Sequence, residues 1–196
     1  MLLFKGPRDQ ILEPLQAVCG IVEKRHTLPI LSNVLMEKEG NRLTLLATDI
    51  EIQIKTSTAA ASGDKVALTV AARKLQDILR SLAEDAEVSL TLDEKRLQVK
   101  AGRSRFNLQT LPAEDFPRML LSDANQTRLK LSQKQFKRLL ALVQYAMAQQ
   151  DIRYYLNGLL LVVKGNEICV VATDGHRLAY ARETLAEQLP SIAVIL

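Results

Sequence analysis

The hydrophobic residues of the chain follow two spacings, one typical of helices and one typical of strands. Apolar residues recur every three or four positions in three segments, which predicts helices over 7–19, 72–82 and 132–148. Pro14 lies inside the first helix and is expected to weaken it. Alternation or short apolar runs predict strands at 31–37, 42–47, 50–56, 66–71, 86–92, 95–101, 104–110, 127–131, 156–163, 167–172 and 177–182. Because short antiparallel strands dominate, the predicted fold class is α+β.

One segment of this pattern occurs twice, at 31–49 and at 156–174. Seven of the 19 aligned positions are identical, no gap is needed, and VALTVA at 66–71 falls on SIAVIL at 191–196 with the same offset. A repeat of this length indicates a duplicated domain rather than a solenoid of short repeats. The duplication favours a scaffold that repeats in space, such as a ring or an arc, over a single catalytic pocket.

A weaker repeat, with an offset of 54, lies inside the first copy. Each domain is therefore predicted to contain two βαβββ half-units, with helices on one face of antiparallel sheets. The first domain is predicted over 1–120, and the prolines and acidic residues of 111–126 predict a linker. Residues 127–196 match only the first half of the repeat, so we expect a second domain that is represented in part.

Composition narrows the classes of protein without deciding between them. The 196 residues suit one or two domains, and the aromatic content of 4% predicts an aliphatic core. A net charge of +4 permits a polyanionic partner but does not require one. Cys19 and Cys169 lie in apolar patterns and are expected to be free thiols in a reducing compartment.

Neither metal, cofactor nor membrane chemistry is expected from these residues. The sequence has no CxxC motif and no cluster of cysteine and histidine, so no metal site is predicted. It shows neither a signal peptide nor an apolar run of about 20 residues, which is the length that crosses a bilayer. We therefore expect a cytoplasmic protein without a membrane partner.

Basic residues recur on the outer faces of two predicted helices. They are Arg73, Lys74 and Arg80 on the helix at 72–82, and Lys134, Lys137 and Arg138 on the helix at 132–148. A single helix of this kind is usually a solvated surface. Because the chain presents such a face more than once, contact with DNA phosphates is the favoured interpretation.

Two further groups of residues each allow two interpretations. Arg103 and Arg105 lie on one side of the strand within GRSRFNL at 102–108, where they either protect an exposed edge from aggregation or meet an acidic partner edge. Tyr154 and Tyr155 follow a helix and lie beside Gln150. They are either packing residues or a surface on which exposed bases stack.

The segment ATDGHRLA at 172–179 allows an enzymatic interpretation, in which Asp174 orients His176 as a general base. The matching position of the first copy has Asp49 but no histidine. A turn aspartate whose carboxylate accepts hydrogen bonds from backbone amides explains both copies. The turn is the favoured interpretation, and a small hydrolase-type enzyme that uses Asp174 and His176 is the alternative.

Several motifs resemble those of the bacterial β sliding clamps, the β subunits of DNA polymerase III that act as processivity factors of the replicative polymerase. The motifs are TLPILSNVLM at 27–36, ATDIE at 47–51, GRSRFNLQTLPAEDFP at 102–117, QDIRYYLNG at 150–158 and VATDGHRLA at 171–179. The resemblance implies the DNA clamp fold and a non-catalytic function, in which the protein tethers the polymerase to its template. The family has three similar domains per chain, and two chains close head to tail into a ring around duplex DNA.

The resemblance also implies partners and sites. The implied partners are double-stranded and primed DNA, the polymerase catalytic subunit, the clamp loader and other proteins with a clamp-binding motif. DNA contact falls on Arg25, Arg73, Gln150, Tyr154 and Tyr155. A groove for a short hydrophobic peptide falls on Arg153, Leu156, Thr173, Gly175, His176, Arg177 and Leu178. The subunit interface falls on Lys74, Ile78, Leu82, Arg96, Arg103, Arg105, Phe106 and Leu108. A third domain is not found in this sequence, so a closed ring is not expected from these 196 residues alone.

Overall fold

The computed structural model describes residues 1–22, 28–119 and 129–196. The chain forms two compact units, Met1–Leu120 (unit 1) and Leu121–Leu196 (unit 2). Arg25, most of the second half of the predicted linker and the first two residues of the strand predicted at 127–131 lie outside the described residues.

Unit 1 contains the predicted βαβββ half-unit twice. The first half-unit comprises β1 (Leu2–Pro7), α1 (Arg8–Cys19), β2 (Asn33–Glu39), β3 (Arg42–Thr48) and β4 (Gln53–Ala59). The second comprises β5 (Val66–Ala71), α2 (Ala72–Ser81), β6 (Glu87–Asp93), β7 (Arg96–Ala101) and β8 (Ser104–Leu111). Single 3-10 turns at Pro29–Ser32 and Ala113–Asp115 complete the described elements.

The two half-units exchange their first strands. In the described part of unit 1 the strands form one antiparallel sheet in the order β1-β6-β7-β8-β5-β2-β3-β4. The first strand of each half-unit pairs with the second strand of the other, β1 with β6 and β5 with β2. The junction between β5 and β8 is narrow, with Thr69 opposite Leu111 and Val70 opposite Thr110. Each half-unit therefore depends on the other for a complete sheet.

Both helices of unit 1 bury their predicted apolar stripes in one shared core. Leu75 and Leu79 of α2 are buried, and Ile78 and Leu82 pack against the same cluster. Helix α1 runs through Pro14 without ending there, which differs from the expected weakening. Burial of the α1 stripe explains this, since packing of an amphipathic face outweighs the propensity of one residue. In addition, Thr56 of β4 donates a hydrogen bond to the Pro14 carbonyl.

The strand predicted at 50–56 was partly wrong. Strand β4 begins only at Gln53, and Ile50 and Ile52 lie in the preceding turn with about half of their surface exposed. The alternation of isoleucines suggested a strand face, but a tight turn also spaces side chains in this way. The beginning of the predicted linker is packed rather than free, because Ala113 and Phe116 are buried against Leu35 and Leu46.

The described residues of unit 2 contain one α-helix and two long strands. Its described elements are α3 (Gln133–Val143), 3-10 turns at Gln144–Ala146 and Tyr154–Leu156, β9 (Leu160–Thr173) and β10 (Leu178–Ile195). Ser132 caps α3 as predicted, with a reciprocal contact to Gln135. The helix is shorter than expected, and the described part of the segment predicted as a strand at 127–131 is not a strand.

Strand β9 runs through the position at which the first copy turns. In unit 1, Gly40 separates β2 from β3 with a φ of +57°. Gly165 is the equivalent residue and keeps a φ of +62°, but it lies within β9 and pairs with Leu189 of β10. Leu139 and Val143 of α3 are buried against this strand pair, with Phe136 and Leu140 packed at the margin.

Cys19 is buried in α1 of unit 1, and Cys169 is half-buried on β9 of unit 2. Burial raises the pKa of the Cys19 thiol to about 11. In the described residues no helix has the length and apolar character needed to cross a membrane.

Candidate functional site

The turn between β9 and β10 is built by the side chains of Thr173 and Asp174. Thr173 Oγ1 accepts a hydrogen bond from the amide of Gly175 and donates one to the Arg177 carbonyl. Asp174 Oδ1 accepts hydrogen bonds from the amides of His176 and Arg177, each at 2.9 Å. These bonds lower the pKa of the Asp174 carboxyl below its usual range. The turn is therefore fixed by its own polar side chains.

Unit 1 has the same turn between β3 and β4. Thr48 Oγ1 accepts a hydrogen bond from the amide of Ile50 and donates to the Ile52 carbonyl. Asp49 Oδ1 accepts hydrogen bonds from the amides of Glu51 and Ile52, at 3.0 and 2.7 Å. The prediction that a turn aspartate holds backbone amides in both copies is confirmed.

The two turns differ at the residue with a left-handed backbone. Gly175 has a φ of +89°, and Ile50 at the equivalent position has a φ of +84°. A β-branched residue is strained in this region, whereas glycine adopts it freely. The turn is thus specified by the threonine and aspartate strongly enough to hold even an isoleucine in this conformation.

A closed loop at 149–157 approaches the turn of unit 2. Asp151 binds Arg153 three times, accepting from its backbone amide at 2.8 Å, from Nε at 3.0 Å and from Nη2 at 2.8 Å. Asn157 returns to the backbone of Asp151, accepting from its amide at 2.9 Å and donating to its carbonyl at 3.0 Å. The Ala148 amide also donates to the Leu156 carbonyl. These contacts close the loop on itself.

An open depression of about 570 Å³ lies between this loop and the turn. Its lining is Gln144, Tyr145, Met147, Ala148, Gln149, Gln150, Asp151, Arg153, Asp174, His176 and Arg177. The Arg177 guanidinium lies 5.8 Å from the centre of the Tyr145 ring, a cation–π distance, and its Nε donates to Asp174 Oδ2 at 3.0 Å. Arginine side chains on both sides of the depression are thus held by acidic neighbours.

The structure brings together three residues of the predicted groove, Arg153, His176 and Arg177, around this depression. Gly175 lies next to it, because a methyl group on its Cα would lie 3.4 Å from Arg153 Nη2. Leu156 and Thr173 do not line it, and their hydrogen bonds hold the neighbouring loop and turn. Leu178 begins β10, and its side chain is exposed.

The proposed DNA-contacting residues of unit 2 lie on the same loop. Tyr154 is 82% exposed and Tyr155 is 50% exposed, and their rings meet edge to face with centroids 5.9 Å apart. Gln150 has a φ of +58° and lines the depression. Such exposure argues against the two tyrosines being core residues.

The enzymatic arrangement of Asp174 with His176 is not formed. Both carboxylate oxygens of Asp174 are used, one by the amides of His176 and Arg177 and the other by the Arg177 guanidinium. The contact between Asp174 and His176 therefore involves the histidine backbone and not its imidazole. In the described part of the chain, no group of three or more His, Cys, Asp and Glu side chains could hold a metal.

The basic face predicted for α2 is smaller than expected. Arg73 is half-buried, and its guanidinium donates to the carbonyl of Val22, directly before the segment that carries Arg25. Lys74 and Arg80 are exposed. On α3, Lys134 and Lys137 are exposed, whereas Arg138 is paired with Glu183 of β10 at 3.0 Å.

The predicted interface residues lie on α2 or directly after it, on β7 and β8, and in the turn between these two strands. Strand β8 pairs with β7 over its length but with β5 only at Thr110 and Leu111. In the part of unit 1 that the structure describes, residues 104–109 therefore have no strand on their other side. Exposed cations of the set are Lys74, Arg96, Arg103 and Arg105, and its partly or fully buried apolar members are Ile78, Leu82, Phe106 and Leu108.

Three residues that were not predicted from the sequence make contacts that shape the depression and its loop. Asp151 and Asn157 shape the loop, and Tyr145 packs against Arg177. An aspartate two positions before an arginine is a signal for a local turn, because its carboxylate reaches the backbone amide two residues on. The contact between Tyr145 and Arg177 joins residues far apart in sequence and leaves no local signal.

Antiparallel half-units and a turn repeated in both units define a duplicated scaffold, and unit 2 adds an open surface depression. Comparison with known proteins identifies its family. Residues 2–120 match the DNA polymerase III beta subunit, N-terminal domain, and residues 130–196 match the central domain of the same subunit. The chain belongs to the DNA polymerase III beta subunit family, and its fold is the clamp fold.

Relatives and solved structures agree with this assignment. The chain is 47% identical over 192 residues to the beta sliding clamp of Pseudomonas aeruginosa and 44% identical over 194 residues to that of Escherichia coli K12. These alignments cover 96% and 98% of the chain but 51% and 52% of the relatives, so the chain spans about half of their length. A crystal structure of the Pseudomonas aeruginosa sliding clamp bound to griselimycin superimposes with a TM-score of 0.91 at 43% identity. That alignment covers 99% of this chain and 53% of the other.

Proposed function

We propose that the protein acts as a non-catalytic sliding-clamp subunit that tethers the replicative DNA polymerase to its template. One observation carries the proposal: consecutive matches to the N-terminal and central domains of the family, together with a clamp fold over 99% of the chain. A protein with this function works in the bacterial cytoplasm, where the chromosome lies. The hydrogen bonds of the Asp174 carboxylate to two backbone amides and to Arg177 give this residue a structural role, which supports a scaffold rather than the alternative hydrolase.

DNA is the proposed polyanionic partner. Arg25 and Arg73 of unit 1, with Gln150, Tyr154 and Tyr155 of unit 2, are the proposed contacts. Arginine binds phosphates without reading sequence, and exposed tyrosine rings stack on unpaired bases. The exposure of Tyr154 and Tyr155 supports a role for them at primed or single-stranded sites.

The depression of unit 2 is the proposed site for a short hydrophobic peptide from the polymerase, the clamp loader or another clamp-binding protein. Arg153, Leu156, Thr173, Gly175, His176, Arg177 and Leu178 are the residues proposed to form it. The Pseudomonas aeruginosa clamp binds griselimycin, and we propose that the same ligand binds this chain at the depression.

The margin of β8 is the proposed contact with a second subunit in the head-to-tail ring of the family. An unpaired strand segment supplies backbone groups for pairing across an interface. The cations Lys74, Arg96, Arg103 and Arg105 favour an acidic partner surface, and Ile78, Leu82, Phe106 and Leu108 are the apolar residues proposed for the same contact.

DNA binding tests the proposed function. Fluorescence anisotropy with duplex, single-stranded and primed-junction DNA is expected to show affinity that falls with salt and does not depend on sequence. Replacing Tyr154 and Tyr155 by alanine is expected to weaken binding to single strands and junctions by about 1–3 kcal/mol per stacked base, and to leave duplex binding nearly unchanged.

Tyr180→Ala is the matched control, because Tyr180 is an exposed tyrosine of the same unit outside the proposed site. It is expected to leave all three affinities unchanged. Equal losses on duplex and single strands in the double variant would show that the tyrosines do not stack on bases. A lack of DNA binding at low salt would contradict the proposed function itself.

A further inference from the structure

We propose that Asp151 and Asn157 are positioning residues, which fix the Arg153 guanidinium at the depression of unit 2 before any ligand arrives. The inference rests on the proposed function of this depression as a ligand groove. Asp151 and Asn157 act through Arg153: Asp151 holds its side chain, and Asn157 holds the backbone of Asp151.

The carboxylate of Asp151 binds the guanidinium in a fork. Its Oδ1 accepts from Nε at 3.0 Å and its Oδ2 accepts from Nη2 at 2.8 Å. Two parallel charge-assisted bonds define the orientation of the guanidinium plane, which a single bond leaves free to rotate. A guanidinium has five N–H donors, so this fork leaves others for a ligand.

Asp151 can orient Arg153 only because its own position is fixed. Asn157 bonds to both the amide and the carbonyl of Asp151, at 2.9 and 3.0 Å. Asp151 in turn accepts from the Arg153 amide at 2.8 Å, which ties the two residues through their backbone as well. Asn157 directly follows the 3-10 turn at Tyr154–Leu156. Through its bonds to Asp151, it therefore helps to fix the position of the Arg153 side chain.

The turn on the opposite side provides the second boundary. A methyl group on Gly175 would lie 3.4 Å from Nη2 and 3.5 Å from Nη1 of Arg153. With a φ of +89°, Gly175 also occupies a conformation that side chains rarely adopt. The guanidinium thus lies against a bare stretch of backbone, while about half of the Arg153 side chain stays exposed.

This arrangement affects binding more than stability. Surface ion pairs contribute little to folding, so the pair is not needed to hold the unit together. An arginine that is already oriented loses less side-chain entropy when a ligand binds. Hydrogen bonds from Arg153 lower the pKa of Asp151 to about 2, so the pair is ionised throughout the neutral range.

Order at Arg153 is the direct test, and it needs no ligand. NMR relaxation of the Nε–H group is expected to show a rigid Arg153 in the wild-type chain and a mobile one in Asp151→Asn and in Asn157→Ala. Glu183→Gln is the matched control, since it releases Arg138 from a different ion pair of this unit and leaves Arg153 untouched. Unchanged backbone amide spectra elsewhere show that the variants fold. A mobile Arg153 in the wild type, or a rigid one in Asp151→Asn, would overturn the proposal.

A double-mutant cycle with griselimycin tests whether this order is used. Asp151→Asn is expected to weaken griselimycin binding about three- to tenfold, the range for ordering one long side chain. In an Arg153→Ala background the same substitution is expected to have no further effect, because Asp151 acts through Arg153. An equal loss in both backgrounds would show that Asp151 affects the ligand without Arg153. If the wild-type chain does not bind griselimycin, the proposed groove is wrong, and the relaxation measurement alone decides the positioning of Arg153.

Discussion

The turn after β3 in unit 1 and the turn after β9 in unit 2 share their hydrogen bonds but not their surfaces. Each uses a threonine hydroxyl and an aspartate carboxylate to bind four backbone groups. Around this frame, unit 1 exposes Ile50 and Ile52, whereas unit 2 has Gly175 and Arg177. Duplication preserved the residues that make the turn, and the residues that it presents have diverged.

The difference separates structural residues from candidate binding residues. Asp174 has the same hydrogen-bonding role as Asp49, which has no histidine beside it, so no catalytic role is needed to explain it. For the turn itself, Gly175 differs from Ile50 only in adopting the left-handed conformation with less strain. Its bare backbone matters because Arg153 lies against it. The features found only in unit 2 are therefore the ones that we assign to ligand binding.

The largest expected difference between the units concerns two equivalent buried positions, Lys38 and Val163, each 1% exposed. Lys38 donates from Nζ to the Leu2 carbonyl at 2.8 Å, whereas Val163 lies in an apolar cluster. Val163→Lys is expected to lower the free energy of unfolding of unit 2 by about 3–5 kcal/mol, because it buries an uncompensated charge. Urea unfolding measures the effect.

Lys38→Met is the companion variant, since it keeps the methylene packing and removes the ammonium group with its bond to Leu2. It is expected to cost about 1–3 kcal/mol, the range for a hydrogen bond that involves a charged group. Similar costs for the two substitutions would contradict the view that unit 1 provides an acceptor for this lysine and unit 2 does not.

Because the two turns share their hydrogen bonds, loss of the aspartate is expected to destabilise both units to a similar extent. Asp49→Ala and Asp174→Ala each remove one acceptor of two backbone amides, and the two substitutions are expected to lower the free energy of unfolding by similar amounts. Asp49→Asn and Asp174→Asn keep one side-chain oxygen and are expected to cost less. A large loss for one unit alone would show that the turns are not equivalent.

The smallest expected effect concerns backbone strain. Ile50→Gly is expected to raise the free energy of unfolding of unit 1 by about 1 kcal/mol or less, because a left-handed conformation costs a β-branched residue about 1–2 kcal/mol and glycine loses more entropy on folding. Gly175→Ala is expected to act in the opposite direction in unit 2. A loss of stability in Ile50→Gly would mean that the exposed isoleucine packs more tightly than its surface indicates.

Local and repeated features of the fold could be predicted from the sequence. The apolar stripes of all three helices and the aspartate of the turn were predicted, because they depend on spacing and on chemistry within a few residues. The alternation of Ile50 and Ile52 with polar residues led to a strand prediction that began too early. These residues lie in a turn held by Thr48 and Asp49, and the turn spaces polar and apolar residues as a strand does.

Other features depend on contacts that the sequence does not report. Gly165 is followed by asparagine, as Gly40 is, and this pair predicts a turn at both positions. Pairing with Leu189 nevertheless keeps Gly165 inside β9. Arg73 was expected to face outward, and its bond to the Val22 carbonyl holds it half-buried instead. In the groove, the arginines were predicted through resemblance, whereas Asp151 and Asn157, which fix one of them, became visible only in the structure.

The most direct test is to map where griselimycin perturbs the backbone amide spectrum of the chain. We expect shifts centred on Arg153, Gly175 and Arg177, with no shift at Ile50 and Ile52, which are equivalent to Gly175 and Arg177. This result would show that the turn has a structural role in both units and forms part of a binding site only in unit 2. Shifts at both turns, or shifts confined to unit 1, would contradict it.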